Sequence, residues 1–215
     1  MTGRLQLALV AALVACGGRS PPVPAPSAAA PSESTPPNPT RYHMRRQYAD
    51  LRLVERLLIA GKLDDGAVVA TLLTRERDDR VARAAGELAH AGDLDQALRR
   101  VAVVASACAA CHVRAGARVL FAPAPALPDD LMARHAWATD RLWEGVIASD
   151  VDRWRRGLGV LADSAIADGG TLRELARAQL VEATGAPDPG RRAIGYGKIL
   201  ITCASCHVQL GVKLP

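Results

Sequence analysis

Two thiols and an imidazole within five residues, Cys203-Ala204-Ser205-Cys206-His207, are the part of this chain best equipped for chemistry. Thiols three positions apart, with a histidine directly after the second, are what covalent haem attachment requires: each thiol adds across one vinyl group and the imidazole reaches the iron. In a helix, positions i, i+3 and i+4 share a face, so all three groups address one haem edge. The pattern also stands at Cys108-Ala109-Ala110-Cys111-His112, 203 − 108 = 95 residues earlier. Both copies run on alike, through Gly116-Ala117-Arg118-Val119 and Gly211-Val212-Lys213-Leu214. A zinc or dithiol redox site uses the same residue types, but an identical signature twice in one chain favours two covalently bound haem c groups. Cys108, Cys111, His112, Cys203, Cys206 and His207 would hold them.

The elements that must position these residues are helical. The chain has 215 residues, of which 49% are apolar and only 3% aromatic, with Ala, Leu, Arg and Val recurring throughout. That composition favours an all-α protein packed through small and aliphatic side chains. From Arg41, apolar residues at steps of three and four (Met44, Tyr48, Leu51, Val54, Leu58, Ile59) predict a helix ending at Gly61. A second is expected from Asp64 or Asp65 through Leu73, a third over 78–91, and a fourth from near Asp93 through the first haem motif to Gly116. After a break at Pro123, Pro125 and Pro128 the order recurs: helices over about 129–148, from Asp150, through 172–183, and from Arg191 to Val208 or beyond. Ala60 to Asp64 match Ala148 to Asp152 at an offset of 88, whereas the haem motifs are 95 apart. Seven residues are therefore inserted in the second copy, where the loops around Gly169-Gly170 and 185–190 can absorb them. The pattern reads as duplication of a small helical domain, residues 41–127 and 128–215.

The N-terminus carries a different signal. Arg4 precedes an apolar run, Leu5 to Ala15 broken by Gln6, that falls short of the ~20 residues a membrane span needs. Leu13-Val14-Ala15-Cys16-Gly17 resembles the lipobox of bacterial lipoproteins, which implies a signal peptide over 1–15 and a lipidated Cys16. An ordinary cleaved signal is the alternative. Export agrees with the haem reading, since c-type haems resemble one another in being attached outside the cytoplasmic membrane. Gly17, rather than Asp, after the cysteine resembles the signal for passage to the outer membrane, on its periplasmic side. Residues 17–40 are Pro, Ala and Ser with hardly a charge, an extended tether from the lipid anchor. With Cys16 assigned and four thiols in the haem motifs, none of the five cysteines remains for a disulfide.

The formal charge of +5 falls to +4 without Arg4, and about four haem propionates would bring it near zero. No run of basic residues interleaved with aromatics suggests nucleic-acid binding. Residues 41–127 hold 14 basic and 10 acidic side chains against 11 of each in 128–215, a mildly basic surface suited to an acidic redox partner. The oligomeric state is not legible.

Four helices with the haem motif near the end of the last resemble the cytochrome c′ family, including its low-spin members. The resemblance covers both units and implies two tandem four-helix-bundle-like haem units. Small three-helix cytochromes c place the motif near the start of the domain instead. In the low-spin members a methionine near the start of the first helix ligates the iron. Here Met44 and Met132 are 132 − 44 = 88 apart, the offset that aligns the first helices. The resemblance thus implies His112 with Met44 on one iron and His207 with Met132 on the other. Both methionines also suit a core, and His43 and His135 are rival ligands. Under the 88 offset, however, His43 matches Leu131 and His135 matches Gln47. Tyr48, Trp137, Leu142, Trp143, Trp154 and Tyr196 are expected around the haems or in plain core, Arg118 and Lys213 near propionates or at solvated helix ends, and His90 on the surface.

No nucleotide loop or activated nucleophile is visible, and two six-coordinate irons leave no open site for substrate. The expected function is electron transfer between redox partner proteins rather than catalysis. A gas-binding protein of the five-coordinate cytochrome c′ kind is the alternative, and a di-haem peroxidase a weaker one.

Overall fold

The computed structural model describes residues 39–163, 170–183 and 188–211. The signal segment, Cys16 and most of the tether lie outside them, as do Lys213 and the loop positions 164–169 and 184–187 to which part of the insertion was assigned.

The described residues are all-α, with no strand among them: α1 (Pro39–Ile59), α2 (Leu63–Leu73), α3 (Asp79–Ala89), α4 (Leu94–Arg114), α5 (Leu131–Ile147), α6 (Val151–Asp163), α7 (Thr171–Ala183) and α8 (Pro189–Leu210). Aspartate starts most of them. The side chains of Asp78, Asp93, Asp130 and Asp188 each accept from backbone N–H groups two or three positions on, and Asp150 does the same for Asp152 and Arg153 at the head of α6. Two boundaries differ from expectation. α2 begins at Leu63 behind an uncapping Lys62, so Asp64 and Asp65 lie in its first turn, where they meet the positive end of the helix dipole instead of capping it. α8 begins at Pro189, because proline without an N–H is at home in a first helical turn, so Pro189 and Gly190 are helix and not loop.

Helix order and register repeat. α6 starts 151 − 63 = 88 residues after α2, and α8 starts 189 − 94 = 95 after α4. α1 to α4 each pack on the next and α4 returns to α1; α5 to α8 do likewise. The halves are not separate bodies, for the described residues form one compact unit and α4 lies along α8.

The halves meet about a pseudo-twofold axis, seen in which residues touch. Arg52 of α1 pairs with Asp140 of α5, its own counterpart at offset 88. Gly197 of α8 faces Ala102 of α4, its counterpart at offset 95, and an added Cβ would lie 3.4 Å from the Ala102 methyl and 3.5 Å from the Arg99 Cα. Gly61, at the turn after α1, faces Val208, while the counterparts Ser149 and Val113 border one cleft. Gly61 and Ser149 share a left-handed backbone, φ 76° and 55°. Such self-matching contacts are what twofold symmetry requires. Pro189 borders the same cleft as Ala109, Ala110 and Val113, so α8 runs antiparallel to α4.

The segment between α4 and α5 is tied down without helix. Trp137 Nε1 donates to the Pro125 carbonyl at 2.9 Å, and Phe121 lies against Tyr48 with Arg153 over its ring. At the centre, Trp143, Trp154 and Tyr196 are fully buried, so these aromatics are core; Tyr48 and Trp137 are half-buried. Four rings, Phe121, Tyr48, Trp143 and Tyr196, meet in sequence in tilted and edge-on contacts at centroid distances of 5.9, 6.5 and 5.8 Å.

Candidate haem-attachment sites

α4 and α8 carry the two Cys-x-x-Cys-His sequences in their last three turns, held as regular helix by the long apolar stripes behind them. Leu98, Val101, Ala105 and Ala109 bury one side of α4, and Tyr196, Ile199, Leu200 and Cys203 one side of α8. Cys108, Cys111 and His112 are half-buried, as are Cys206 and His207; no disulfide joins the four cysteines.

The first sequence does not resemble a thiolate site. Burial, reinforced by Cys111, Glu76 and Asp78, pushes the Cys108 thiol up to about 12. Burial and a hydrogen bond with Asp78 raise Cys111. Metal thiolates and redox dithiols need the opposite, a cationic neighbour that lowers the pKa. Among the described residues no three His, Cys, Asp or Glu side chains converge on a point where an ion could sit. A haem edge asks less, since it needs two sulfurs along one helix face and an imidazole one position on.

The histidines bear on the fit directly. Nδ1 of His112 and Nδ1 of His207, at equivalent positions, are both enclosed and make no hydrogen bond. A buried polar atom without a partner costs about 1–3 kcal/mol. The two motifs thus share this feature at matching places. Burial lowers the His207 pKa, favouring the neutral imidazole that binds a metal. Two thiols on one helix face with an imidazole one position on are a donor set of the kind that covalent haem attachment uses.

The neighbourhood of the first motif is polar. Asp78 caps α3, accepts from Arg114 Nη2 at 2.6 Å and bonds Cys111, so the turn before α3 is clipped to the end of α4. Those backbone bonds first, then Arg114, hold the Asp78 carboxyl below the usual range. Glu76, whose charge acts on Cys108, also meets His43 Nε2 at 3.0 Å. The start of α1 and the end of α4 thus share one end of the molecule. Glu76 and Asp78 were not singled out from sequence; only the capping pattern at Asp78 signalled a structural role.

Met44 and Met132 sit near the starts of α1 and α5 and are 36% and 44% exposed, outside the apolar core. His43 bonds Glu76 and Gln47, and His135 is half-buried on α5, so the two histidines differ in setting as in register. His90 is exposed at the end of α3, its Nδ1 against the Gly86 carbonyl at 2.7 Å. Arg118 is exposed beyond α4.

A buried charge cluster was not anticipated. Arg52 pairs with Glu55 at 2.6 Å and with Asp140, and reaches the Tyr196 hydroxyl at 3.3 Å. The Trp143 ring lies 5.7 Å beneath its guanidinium. Burial raises both Glu55 and Tyr196. The signal was present, since Arg52 and Asp140 are opposite charges at the repeat offset.

Compared with protein-family models, with characterised proteins and with solved structures, the chain matches none.

Proposed function

We propose that the chain is a di-haem c-type cytochrome that carries electrons, exported and held to a bacterial membrane by a lipid on Cys16. The observation that carries the reading is the twofold occurrence of Cys-x-x-Cys-His at matching places on α4 and α8. Cys108 and Cys111 would attach one haem and Cys203 and Cys206 the other, as two tandem units of cytochrome c′ kind. His112 and His207 would ligate from one side, with Met44 and Met132 as sixth ligands. Bound haem supplies a one-electron couple at iron. The chain's part would be to fix each ring by two bonds, keep the His207 imidazole neutral, and set the potential through a thioether. Among the described residues no helix is long and apolar enough to cross a membrane.

The test is spectroscopic. Mass spectrometry of protein made in a host that attaches c-type haem is expected to find two haems. Optical spectra are expected to be low-spin, with methionine-to-iron charge transfer in the oxidised form. Met44→Ala or Met132→Ala removes that band at one haem only. A high-spin wild-type spectrum with rapid CO binding overturns the sixth ligands and selects gas binding instead.

A further inference from the structure

A groove of about 600 Å3 runs between α3, α4 and α8, within the range of small-molecule sites, about 300–1,000 Å3. It lies on the far side of α4 from the haem motif. Ser106, Ala107 and Ala110 face it, whereas Cys108, Cys111 and His112 occupy the opposite helical face. Each helix contributes a stripe at helical spacing: Arg80, Arg83, Ala84 and Glu87 from α3, Arg99 to Ala110 from α4, and Gly190 to Gly197 from α8. The floor is open because the side chains there are small, Ala84, Ala102, Ala193 and Gly197. Val103 and Ile194 stay exposed along it.

Its rim carries more positive than negative charge. Arg80, Arg83 and Arg99 are exposed, and among the described residues none has an ion-pair partner; the rim carboxylate, Glu87, is matched by Arg100. Three guanidinium groups over an aliphatic floor complement a molecule with an anionic end and a saturated body. A neutral ligand would leave the guanidiniums unused, and a helix with side chains, about 10–12 Å across, is wide for this volume.

We propose that this groove binds a long-chain carboxylate, a single-chain fatty acid, with its head among Arg80, Arg83 and Arg99 and its chain along Ala84, Val103 and Ile194. The site does not depend on the haem reading, and binding can be measured whatever the iron does.

Titration calorimetry of the full chain with dodecanoate below its micelle concentration tests it. Binding at micromolar to sub-millimolar concentration is expected, with dodecanol and acetate each at least tenfold weaker. The double variant Arg83→Gln/Arg99→Gln changes only exposed side chains and is expected to weaken dodecanoate about tenfold or more. Ala107→Leu, which narrows the floor, is expected to weaken it as well, with an unchanged helical circular dichroism spectrum. Equal binding of dodecanol, indifference to both variants, or no dodecanoate binding overturns the proposal. So does capture by anionic vesicles, or self-association lost in the same variants, with no dodecanoate binding, since either names a different occupant.

Discussion

Arg52 is the residue on which most of the buried charge depends. It faces Glu55, Asp140 and Tyr196 at the seam between the halves, where Glu55 and Tyr196 have almost no contact with water. Removing one member of a buried pair leaves the other uncompensated, at a cost of about 3–5 kcal/mol. Arg52→Met is expected to lower unfolding free energy by about that much in urea titration, and Arg52→Met/Glu55→Leu to recover much of it. If the double variant is no better than the single, the cluster is not an ion pair in water-poor surroundings. Tyr196 adds a pH dependence. Burial first, then Glu55, raises its pKa above the usual 10, so the folded chain holds that proton more tightly than the unfolded one. The corresponding stability is complete below about pH 10 and is lost as pH climbs past it. Denaturant midpoints are expected to fall between pH 10 and 12, and less steeply in Tyr196→Phe.

At the scale of elements, glycines separate tight contacts from open ones. A Cβ on Gly157 of α6 would lie 2.7 Å from the Ala138 carbonyl of α5, and one on Gly145 would lie 2.7 Å from the Trp154 amide nitrogen. Backbone cannot yield as a flexible side chain can, so Gly157→Ala is expected to cost about 1–3 kcal/mol. Two residues on, Gly159 meets nothing within 4 Å, and Gly159→Ala is expected to stabilise by about 0.5–1 kcal/mol. Ser149 holds φ 55° with an enclosed hydroxyl that makes no hydrogen bond, so Ser149→Gly is expected to raise the thermal midpoint. Helices of this kind were largely legible in advance: aspartate caps and the apolar steps of α1, α3, α4 and α5 are local signals. The tight pairing of α5 with α6 was not, because it depends on which face each glycine turns to a distant helix. Asp64 and Asp65 misled as helix starts, since α2 begins at Leu63 behind Lys62 with no side-chain cap. Of the candidate sites, the thiols and histidines were legible from spacing alone. Glu76 and Asp78 were not, since only the turn before α3 carries them to α4.

At the scale of the molecule, the antiparallel crossing of α4 and α8 separates the two motifs. The crossing falls at Ala102 and Gly197, and the motif midpoints Ala110 and Ser205 lie 110 − 102 = 8 and 205 − 197 = 8 residues beyond it in opposite directions. At 1.5 Å per residue each is about 12 Å from the crossing, so the two motifs are about 24 Å apart along the helices. Duplication alone left this open, because a parallel pairing would have set the motifs side by side. A unit charge at about 24 Å is felt as roughly 0.2 kcal/mol in water and about 0.7 kcal/mol at an effective dielectric of 20. The larger value corresponds to about 30 mV for one electron. Under the haem reading, reducing one centre is therefore expected to shift the other by no more than about 30 mV. Any larger gap between the two potentials must come from local differences such as Glu76 and Asp78 beside the first motif. A spectroelectrochemical titration of the wild type, compared with Met44→Ala, measures this directly. An untouched haem whose potential moves by more than about 60 mV when the other's ligand is removed would mean the two sites are joined more closely than α4 and α8 place them.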